Sequence, residues 1–368
     1  MLQPKEAPTA AAALRRVSAA AARGQSVLHD VSFEVRRGEI LSLLGTGGLH
    51  DGPSGIGTAL ALVAGFARAD AGHVEIGGRL MDATLPHRRD VGMVSRRLAL
   101  FAHLDVVGHA RFARGVTPAQ ADAILRRLEI TAFARRRPAS LSPDTRFRVA
   151  LARALAQAPK ILLLEEPVGV AHAGAGWKPL LRSIAAETGL AILHATEDAA
   201  ACFGFSDRIG VVQSGRLRQL GAPQELYERP DSLAAALAMG PINRLAGTVL
   251  DLDDDIARIR LAGGALVEAR FVEALQPGEA CVVALRPERI AIAAVVASEM
   301  GQGAVAAKLV DTVFEGAQMR LRFSLDTKAG AAPDVLVVRP AGAALPRGNT
   351  ISLAWQAHHA VAFRTEAA

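Results

Sequence analysis

Cysteine is almost absent from this chain of 368 residues, which contains only Cys202 and Cys281. The two lie far apart, without the paired spacing that a disulfide framework or a cysteine metal site requires. So few thiols are typical of a protein of the reducing cytoplasm. The sequence therefore predicts neither a disulfide nor a metal held by cysteines.

Long apolar runs are also missing. No uncharged apolar stretch approaches the ~18 residues that a membrane-spanning helix needs, so we expect no such helix. The alanine-rich opening, residues 9–22, is interrupted by Arg15 and Arg16. It has no continuous apolar core, which argues against a secretory signal.

A block of charge of one sign is absent as well. The formal net charge is +6, but the arginines are scattered in pairs and triplets such as Arg135, Arg136 and Arg137. Scattered basic groups indicate solvated faces, so nucleic acid is not a predicted partner. The length of the chain predicts two or three domains.

Lysine is missing between Lys5 and Lys160, and this gap includes a glycine-rich segment, residues 52–60 (GPSGIGTAL). In the phosphate-binding pattern G-x-x-x-x-G-K-[ST], backbone N–H groups hold the phosphates, the lysine reaches their oxygens and the hydroxyl holds Mg²⁺. Thr58 replaces the lysine and Ala59 replaces the hydroxyl residue. The landmarks that remain are Gly52, Ser54, Gly55 and Gly57. The segment predicts an altered nucleotide site, although turn geometry alone would also explain its glycines.

The flanks of this segment resemble those of a phosphate loop. Residues 40–45 predict a buried strand before it, and residues 60–67 predict a helix after it. Residues 46–51 (TGGLHD) lengthen the turn between strand and loop. Because a tight turn normally aims the backbone donors at the phosphates, we expect this insertion to displace the remaining glycines.

Strand and helix patterns alternate over the first part of the chain. Strands are predicted at residues 27–35, 40–45, 73–78, 90–94, 160–167 and 190–193, and helices at residues 99–134 and 146–157. The runs at 160–167 and 190–193 are almost wholly apolar, as in strands buried on both faces. The sequence predicts an α/β fold with a doubly covered, largely parallel sheet.

The pattern changes after residue 231. Short alternating segments separated by turns continue to residue 363, at 247–250, 257–261, 281–285, 319–323 and 351–355. Such spacing predicts an antiparallel β-barrel in a second domain. The boundary is predicted near residue 240.

Five ordered segments carry a resemblance to a known family. They are residues 87–94 (HRRDVGMV), 99–104 (ALFAHL), 148–155 (RVALARAL), 221–227 (GAPQELY) and 285–290 (LRPERI). From about residue 14 to residue 363, the chain resembles the ATP-binding subunits of ABC importers of the polyamine, iron and maltose type. So many segments in the same order are not expected by chance.

This resemblance implies a P-loop NTPase (ABC ATPase) domain at residues 1–240, with a helical subdomain at about 95–155. It implies an all-β, OB-like TOBE barrel at residues 241–368. ATP and Mg²⁺ are the implied cofactors, and ABC permease subunits are the implied partners. The subunit would form a homodimer, or a heterodimer with an intact ATPase paralogue. Its expected location is cytoplasmic, peripheral on the cytoplasmic face of the cell membrane.

The resemblance also marks functional positions that are substituted. The family's glutamine that senses Mg²⁺ and couples to the membrane subunit falls on Arg96. The signature L-S-G-G-Q falls on residues 141–145 (LSPDT), where Ser142 is retained. Pro143 and Asp144 replace the glycines that let the backbone approach a phosphate. We favour a role for Ser142 as the N-cap of the following helix.

In the family, the next strand ends in Asp-Glu-Pro. Glu165 replaces the aspartate, and its carboxylate could still reach Mg²⁺ through water. Glu166 matches the catalytic general base, although a buried acid that caps the strand end is an equal alternative. His172 replaces the next acidic residue, and Glu197 stands at the switch histidine, where an anion would repel a polyphosphate. His194 is a less favoured substitute, because it would lie inside the strand.

Two further expectations concern contacts outside these motifs. The aromatic residue that stacks on adenine in the family falls near Ala22 or Arg23, so this stacking is predicted to be lost. In the barrel, Arg286 and Glu288 predict a structural ion pair rather than a ligand site.

Phosphoryl transfer depends on positioning and on charge stabilisation, and these substitutions affect that same step. The sequence predicts the ATP-binding subunit of a small-solute importer with weak or no ATP hydrolysis. One alternative is an active energy-coupling ATPase despite the substitutions. Another is a non-catalytic scaffold or regulatory subunit paired with an active paralogue, and a decaying gene is a third. The sequence does not specify the solute.

Overall fold

The computed structural model of the protein describes residues 10–20, 27–46, 54–165, 176–293, 304–325, 334–343 and 351–365. The chain divides into two compact units, Met1–Gln224 and Glu225–Ala368. Nowhere in these described ranges is there a helix with both the length and the apolar character needed to cross a membrane.

The division comes earlier than the boundary predicted near residue 240, and the packing of the preceding residues explains the difference. Arg286, in the second unit, donates hydrogen bonds to the carbonyl oxygens of Gly240 and Ala236, both at 3.0 Å. Ala236 also packs against Ala284 and Phe363. These long-range contacts attach residues 225–240 to the second unit. The local sequence pattern of those residues does not predict the contacts.

The first unit combines two sheets with helices. Its strands are β1 (Ala10–Ala20), β2 (Val27–Arg36), β3 (Ile40–Thr46), β4 (Ala71–Ile76), β5 (Arg79–Leu80), β6 (Val91–Val94), β7 (Ile161–Glu165), β8 (Ala191–Thr196), β9 (Arg208–Gln213) and β10 (Arg216–Gly221). Its helices are α1 (Ile56–Ala64), α2 (Val106–Ala110), α3 (Pro118–Arg127), α4 (Pro143–Leu155), α5 (Trp177–Thr188) and α6 (Ala199–Cys202).

The larger sheet has the strand order β10-β9-β3-β8-β7-β6. All its neighbouring strands are parallel except β10 and β9. Successive side chains of a strand face opposite sides of a sheet, and each side of this one is covered. Leu41 and Leu43 of β3 share a core with Leu60 of α1, whereas Ile40 packs in a second core with Leu151 of α4. The predicted doubly covered, largely parallel sheet is confirmed.

A separate antiparallel sheet has the order β2-β1-β4-β5. Sequence patterns predict β2 and β4 but not β1, because four consecutive alanines carry no strand preference of their own. Pairing with β2 on one side and β4 on the other stabilises β1 as a strand. Its side chains Leu14 and Val17 are fully buried in the first core.

Helix α1 differs from the prediction at both ends. It begins at Ile56 rather than at residue 60, and it ends at Ala64 rather than at residue 67. Gly65 ends it with a left-handed backbone, at φ +87°, and its N–H group turns back toward the carbonyl oxygens of the last turn. Glycine is the residue that adopts this conformation without strain.

The predicted helical stretch at residues 99–134 is wrong as a continuous element. The structure forms α2 and α3 there, and Gly115 separates them with φ +84°. Thr117 starts α3 with a capping box, since its hydroxyl accepts from the Gln120 N–H at 3.2 Å and the Gln120 side chain accepts from the Thr117 N–H at 2.8 Å. Gly115 and the capping box therefore separate the predicted helical stretch into two helices.

The second unit is built mainly from strands. They are β11 (Asn243–Asp253), β12 (Ile256–Leu261), β13 (Leu266–Phe271), β14 (Ala280–Leu285), β15 (Ala291–Ala293), β16 (Ala304–Phe314), β17 (Gln318–Leu325), β18 (Asp334–Pro340), β19 (Ile351–Ala354) and β20 (Ala360–Arg364). Helix α7 (Pro223–Glu228) crosses the division between the units, and α8 (Leu233–Ala238) precedes β11.

These strands form a closed barrel with the order β11-β12-β13-β20-β14 and a five-stranded sheet with the order β15-β19-β16-β17-β18. The all-β barrel prediction is confirmed, and the structure adds the second sheet. The predicted strands at residues 319–323 and 351–355 lie in that sheet rather than in the barrel. The barrel is closed by β20, which is distant in sequence from β13 and pairs with it in parallel.

Candidate functional site

Four parallel strands bring several predicted site residues to one edge of the larger sheet. Leu44 of β3 pairs with Thr196 of β8, and Glu165 of β7 pairs with Ala195 of the same strand. The carboxyl ends of β3, β6, β7 and β8 therefore lie side by side. Loops that follow this edge of an open α/β sheet are where ligands bind.

The described end of the glycine-rich segment lies directly above β3. Ser54 is buried, and its carbonyl oxygen accepts from the Gly215 N–H at 3.2 Å. A Cβ atom at Gly45 would collide with the Ser54 side chain, so the close approach of β3 to this segment requires glycine. Gly55 then begins α1 with φ +89°, a backbone that favours glycine. Gly52 lies outside the described residues.

The first turn of α1 provides a place for an anion. No side chain caps it, and it contains no acidic residue. Gly57 is exposed, with open space where a side chain would stand. Free N–H groups and the positive end of the helix dipole attract a phosphate.

The two substituted positions of the loop differ in their surroundings. Thr58 is partly exposed in the first turn of α1, so its side chain is near any group that binds there. Ala59 is buried and packs in the core beneath α1. Position 59 therefore presents no oxygen atom to a metal ion.

Glu165 and Arg96 are brought together at the end of the sheet. The Glu165 Oε2 atom accepts a hydrogen bond from the Arg96 backbone N–H at 3.0 Å, which ties the ends of β6 and β7. The Arg96 side chain is exposed and makes no hydrogen bond or ion pair with any other described residue. Its guanidinium faces solvent.

Glu197, at the position of the switch histidine, and His194, its suggested substitute, lie in very different environments. Glu197 is exposed, directly after β8. His194 is fully buried within β8, where its Nδ1 atom lies 2.9 Å from the Ser42 hydroxyl and its Nε2 atom has no partner among the described residues. Burial, together with the charge of Lys178, lowers the pKa of His194 to about 3. His194 is therefore a neutral core residue that does not reach the sheet edge.

Ser142 caps α4. Its hydroxyl accepts from the Thr145 N–H at 3.2 Å, so the preferred interpretation as an N-cap is confirmed. Asp144, at a substituted signature position, pairs with Arg148 at 2.9 Å one turn along the helix. This pairing moderates the negative charge that replaced a glycine.

Helix α4 also holds the segment that follows Arg96, a contact that the sequence analysis missed. Leu98 and Ala99 have positive φ angles of 59° and 45°. Arg153 of α4 donates to their carbonyl oxygens at 2.9 Å and 2.5 Å, and its guanidinium lies 5.5 Å from the centre of the Phe101 ring. Residue spacing gave no signal for this contact.

An aromatic cluster follows the same segment. Phe101 lies 4.5 Å from Phe112, 5.8 Å from His109 and 5.9 Å from His103 between ring centres. Phe112 is 56% exposed, so part of this cluster faces solvent. The cluster therefore presents one aromatic ring at the surface of the segment that follows Arg96.

The predicted ion pair between Arg286 and Glu288 is not formed. Arg286 is buried and donates to backbone carbonyl oxygens, and its guanidinium stacks on Tyr227 at 4.1 Å. Glu288 instead accepts a hydrogen bond from the Tyr227 hydroxyl at 2.6 Å. The prediction was wrong because both side chains bind groups that are distant in sequence. Arg286 binds the Gly240 carbonyl oxygen, and Glu288 binds the Tyr227 hydroxyl.

Several predicted positions lie outside the described residues. They are Gly52, Glu166, His172, Ala22 and Arg23. Their predicted roles stay predictions.

A mostly parallel sheet in which one strand leads through a glycine-containing loop to a helix is the architecture of phosphate-loop nucleotide-binding domains. The sequence profile described as ABC transporter matches residues 28–169, and the profile of the TOBE domain matches residues 283–363.

Curated relatives match nearly the whole chain. A spermidine/putrescine import ATP-binding protein, PotA of Rubrobacter xylanophilus, is 34% identical over 91% of this chain and 89% of its own length. An Fe(3+) ions import ATP-binding protein, FbpC 2 of Rhodococcus jostii, is 34% identical over 90% of this chain and 92% of its own length. This chain belongs to the family of ABC transporter ATP-binding proteins, in the group with a C-terminal TOBE domain.

Solved structures share the fold. The cbiO1 protein of Clostridium perfringens, part of the ABC transporter complex cbiONQ, superposes with a TM-score of 0.53 at 22% identity, over 60% of this chain and 91% of that one. An ATP binding subunit of an ABC transporter gives a TM-score of 0.50, also at 22% identity, over 60% of this chain and 93% of its own.

ATP and Mg²⁺ are the ligands that this family implies, and the described residues fit them only in part. The uncapped first turn of α1 fits a phosphate group. The residues expected to hold the metal do not fit, since Ala59 has no side-chain oxygen and Glu165 has one carboxylate oxygen committed to the Arg96 N–H. Lys160 cannot replace the missing loop lysine, because it lies before β7, at the opposite end of that strand from Glu165, and pairs with Asp90 at 3.0 Å.

Proposed function

We propose that this chain is the nucleotide-binding subunit of an ABC importer for a small solute and that it hydrolyses ATP weakly or not at all. The observation that carries the second part is the composition of the sheet edge. Thr58 and Ala59 lie in α1 where a lysine and a hydroxyl are needed, and an exposed Glu197 follows β8. Arg96 replaces a neutral metal-sensing side chain at the same edge.

Charge explains why these changes act together. The transferred phosphoryl group carries negative charge that the protein must stabilise, and removing one preorganised donor typically slows such reactions by about 10²–10³-fold. In this chain, the loop cation is absent and an anion stands at the switch position. Both changes weaken attraction for the same triphosphate.

The relatives named above import polyamines or ferric ions, and we propose transport of a small solute for this chain too. The aromatic cluster around Phe101 and Phe112 supports docking on a permease subunit. Arg153 holds this cluster close to the segment after Arg96, so a partner bound there would influence the nucleotide edge. The proposed location is the cytoplasmic face of the cell membrane.

Two assemblies are compatible with this role, a homodimer and a heterodimer with an intact ATPase paralogue. Weak hydrolysis favours the heterodimer, because an active partner would supply the missing charges at one of its composite sites. In that arrangement this chain serves as a scaffold or regulatory subunit.

The active ATPase is the second candidate. It is supported by the uncapped helix N-terminus and by Glu165 at the end of β7, where an acid is required. In this case Glu166, the next residue, would be the general base. The chain alone would then turn over ATP.

Nucleotide affinity and phosphate release separate the candidates. ATP binding to the purified chain is measured with Mg²⁺ and with EDTA, and phosphate release is measured for the chain alone and mixed with an intact paralogue. We expect weak binding that Mg²⁺ does not strengthen, and no release by the chain alone. Micromolar, Mg²⁺-enhanced binding and release that Glu166→Gln abolishes would establish the active ATPase instead.

A further inference from the structure

A cavity of about 420 Å³ lies within the second unit, beside β13, β14 and β20. This volume is in the range of small-molecule sites, about 300–1,000 Å³. The charged and histidine side chains that line it are Arg229, Arg270, Arg286, Arg289, Glu228, Asp255, His358 and His359. Four arginines face two carboxylates, so the lining carries an excess of positive charge even when both histidines are neutral.

Arg270 is the unusual member of this lining. Alternation along β13 places Val267 and Ala269 in the barrel core and Arg270 on the other face of the strand. Its side chain is half-buried and lines the cavity, and its guanidinium forms no ion pair with any described residue. Its Nη2 atom has almost no accessible surface and no hydrogen-bond partner within the described ranges. An arginine that lines a cavity without a paired carboxylate leaves its charge available to a bound anion.

The other arginines of the cavity differ in the hydrogen bonds and ion pairs that they already form. Arg286 is occupied by backbone carbonyl oxygens and by the Tyr227 ring, so it shapes the cavity wall. Arg289 contacts Glu228 at 3.4 Å, and both side chains are about 40% exposed. Such a solvated pair is weak and leaves Arg289 able to turn toward a ligand.

We propose that this cavity binds a small organic molecule through a phosphate group, and that Arg270 is the principal residue that holds it. The planar fork of a guanidinium matches two oxygens of a phosphate, and no described carboxylate pairs with the guanidinium of Arg270. The cavity is larger than an inorganic phosphate ion, so an ester with an organic body fits it better. All the residues that line the cavity belong to the second unit.

Calorimetric titration of the full-length chain tests this site, with inorganic phosphate, glycerol 3-phosphate and glycerol as probes. We expect glycerol 3-phosphate to bind, inorganic phosphate to bind more weakly, and glycerol not to bind. Arg270→Gln is expected to weaken the binding of glycerol 3-phosphate by about 10-fold to 100-fold, the effect of losing a charge-assisted hydrogen bond. Arg258→Gln is the matched control, because Arg258 is an exposed arginine on neighbouring β12.

Arg270→Lys distinguishes loss of the phosphate contact from loss of the fold. It keeps the charge but loses the fork, so we expect an affinity between those of the wild type and of Arg270→Gln. Thermal unfolding of each variant without ligand confirms that the barrel is intact. Failure of both phosphate probes to bind the wild type would overturn the proposal. Equal binding by wild type and Arg270→Gln would also overturn it, since the phosphate would then bind elsewhere, for example at α1.

Discussion

Arg153 donates a hydrogen bond to the Leu98 carbonyl oxygen at 2.9 Å, and this contact connects α4 to the segment that follows Arg96. Leu98 holds a left-handed backbone, with φ 59°, which a branched side chain seldom adopts. The guanidinium stabilises that conformation from the neighbouring helix. Helix α4 and the segment that follows the sheet edge are therefore coupled by a side-chain contact.

Replacing Arg153 with methionine should destabilise the first unit. Two carbonyl oxygens lose a charged donor, and the positive φ angles lose their support, so we expect a loss of about 2–3 kcal/mol in the free energy of unfolding. Urea unfolding monitored by circular dichroism measures it. Arg126→Met on α3 is the control, since Arg126 is exposed and should change stability by less than about 0.5 kcal/mol. Equal effects of the two substitutions would contradict the coupling.

The cap of α4 can be tested by removing one oxygen. Ser142→Ala leaves the Thr145 N–H without its acceptor, and we expect a loss of about 1 kcal/mol in the free energy of unfolding. Ser142→Asp should restore most of this stability, because aspartate is an equally good N-cap and carries a charge that suits a helix N-terminus. If Ser142 mainly contacts nucleotide, alanine would instead reduce ATP affinity and leave the urea midpoint unchanged.

The buried His194 predicts an acid-sensitive first unit. Its pKa is about 3 in the folded chain and near 6.5 when unfolded, so between these values only the unfolded chain binds the proton. The free energy of unfolding should fall as the pH decreases through this window, by up to about 1.4 kcal/mol per pH unit. His194→Gln should flatten this dependence, as measured by urea titrations from pH 7 to pH 4. The exposed His87→Gln should leave the slope as it is.

Restoring the loop cation tests whether charge limits nucleotide binding. Thr58→Lys places an ammonium group in the first turn of α1, where we expect ATP affinity to rise by about 10-fold or more. Thr58→Met controls for side-chain length without charge. Fluorescence titration with a labelled ATP analogue gives both affinities. An unchanged affinity in Thr58→Lys would show that the lengthened turn before the loop, rather than charge, is the limiting defect.

The amino-acid sequence by itself determined four strands of the larger sheet, β3, β6, β7 and β8, and the Ser142 cap, whereas β9 and β10 were not predicted. Apolar runs such as residues 161–164 and the short cap of α4 depend on local periodicity and local hydrogen bonds, which neighbouring residues specify. The order of framework segments also identified the family. The substitutions at Thr58, Ala59 and Glu197 were likewise visible, because each is a difference in residue type.

Only the tertiary structure decided which distant groups meet. The alanine-rich β1 is a strand because β2 and β4 pair with it, and residues 225–240 belong to the second unit because Arg286 binds their carbonyl oxygens. The same arginine lacks its predicted Glu288 partner, while the Nη2 atom of Arg270 has no hydrogen-bond partner among the described residues. These outcomes depend on desolvation and on long-range contacts, and both arise only when the chain is folded.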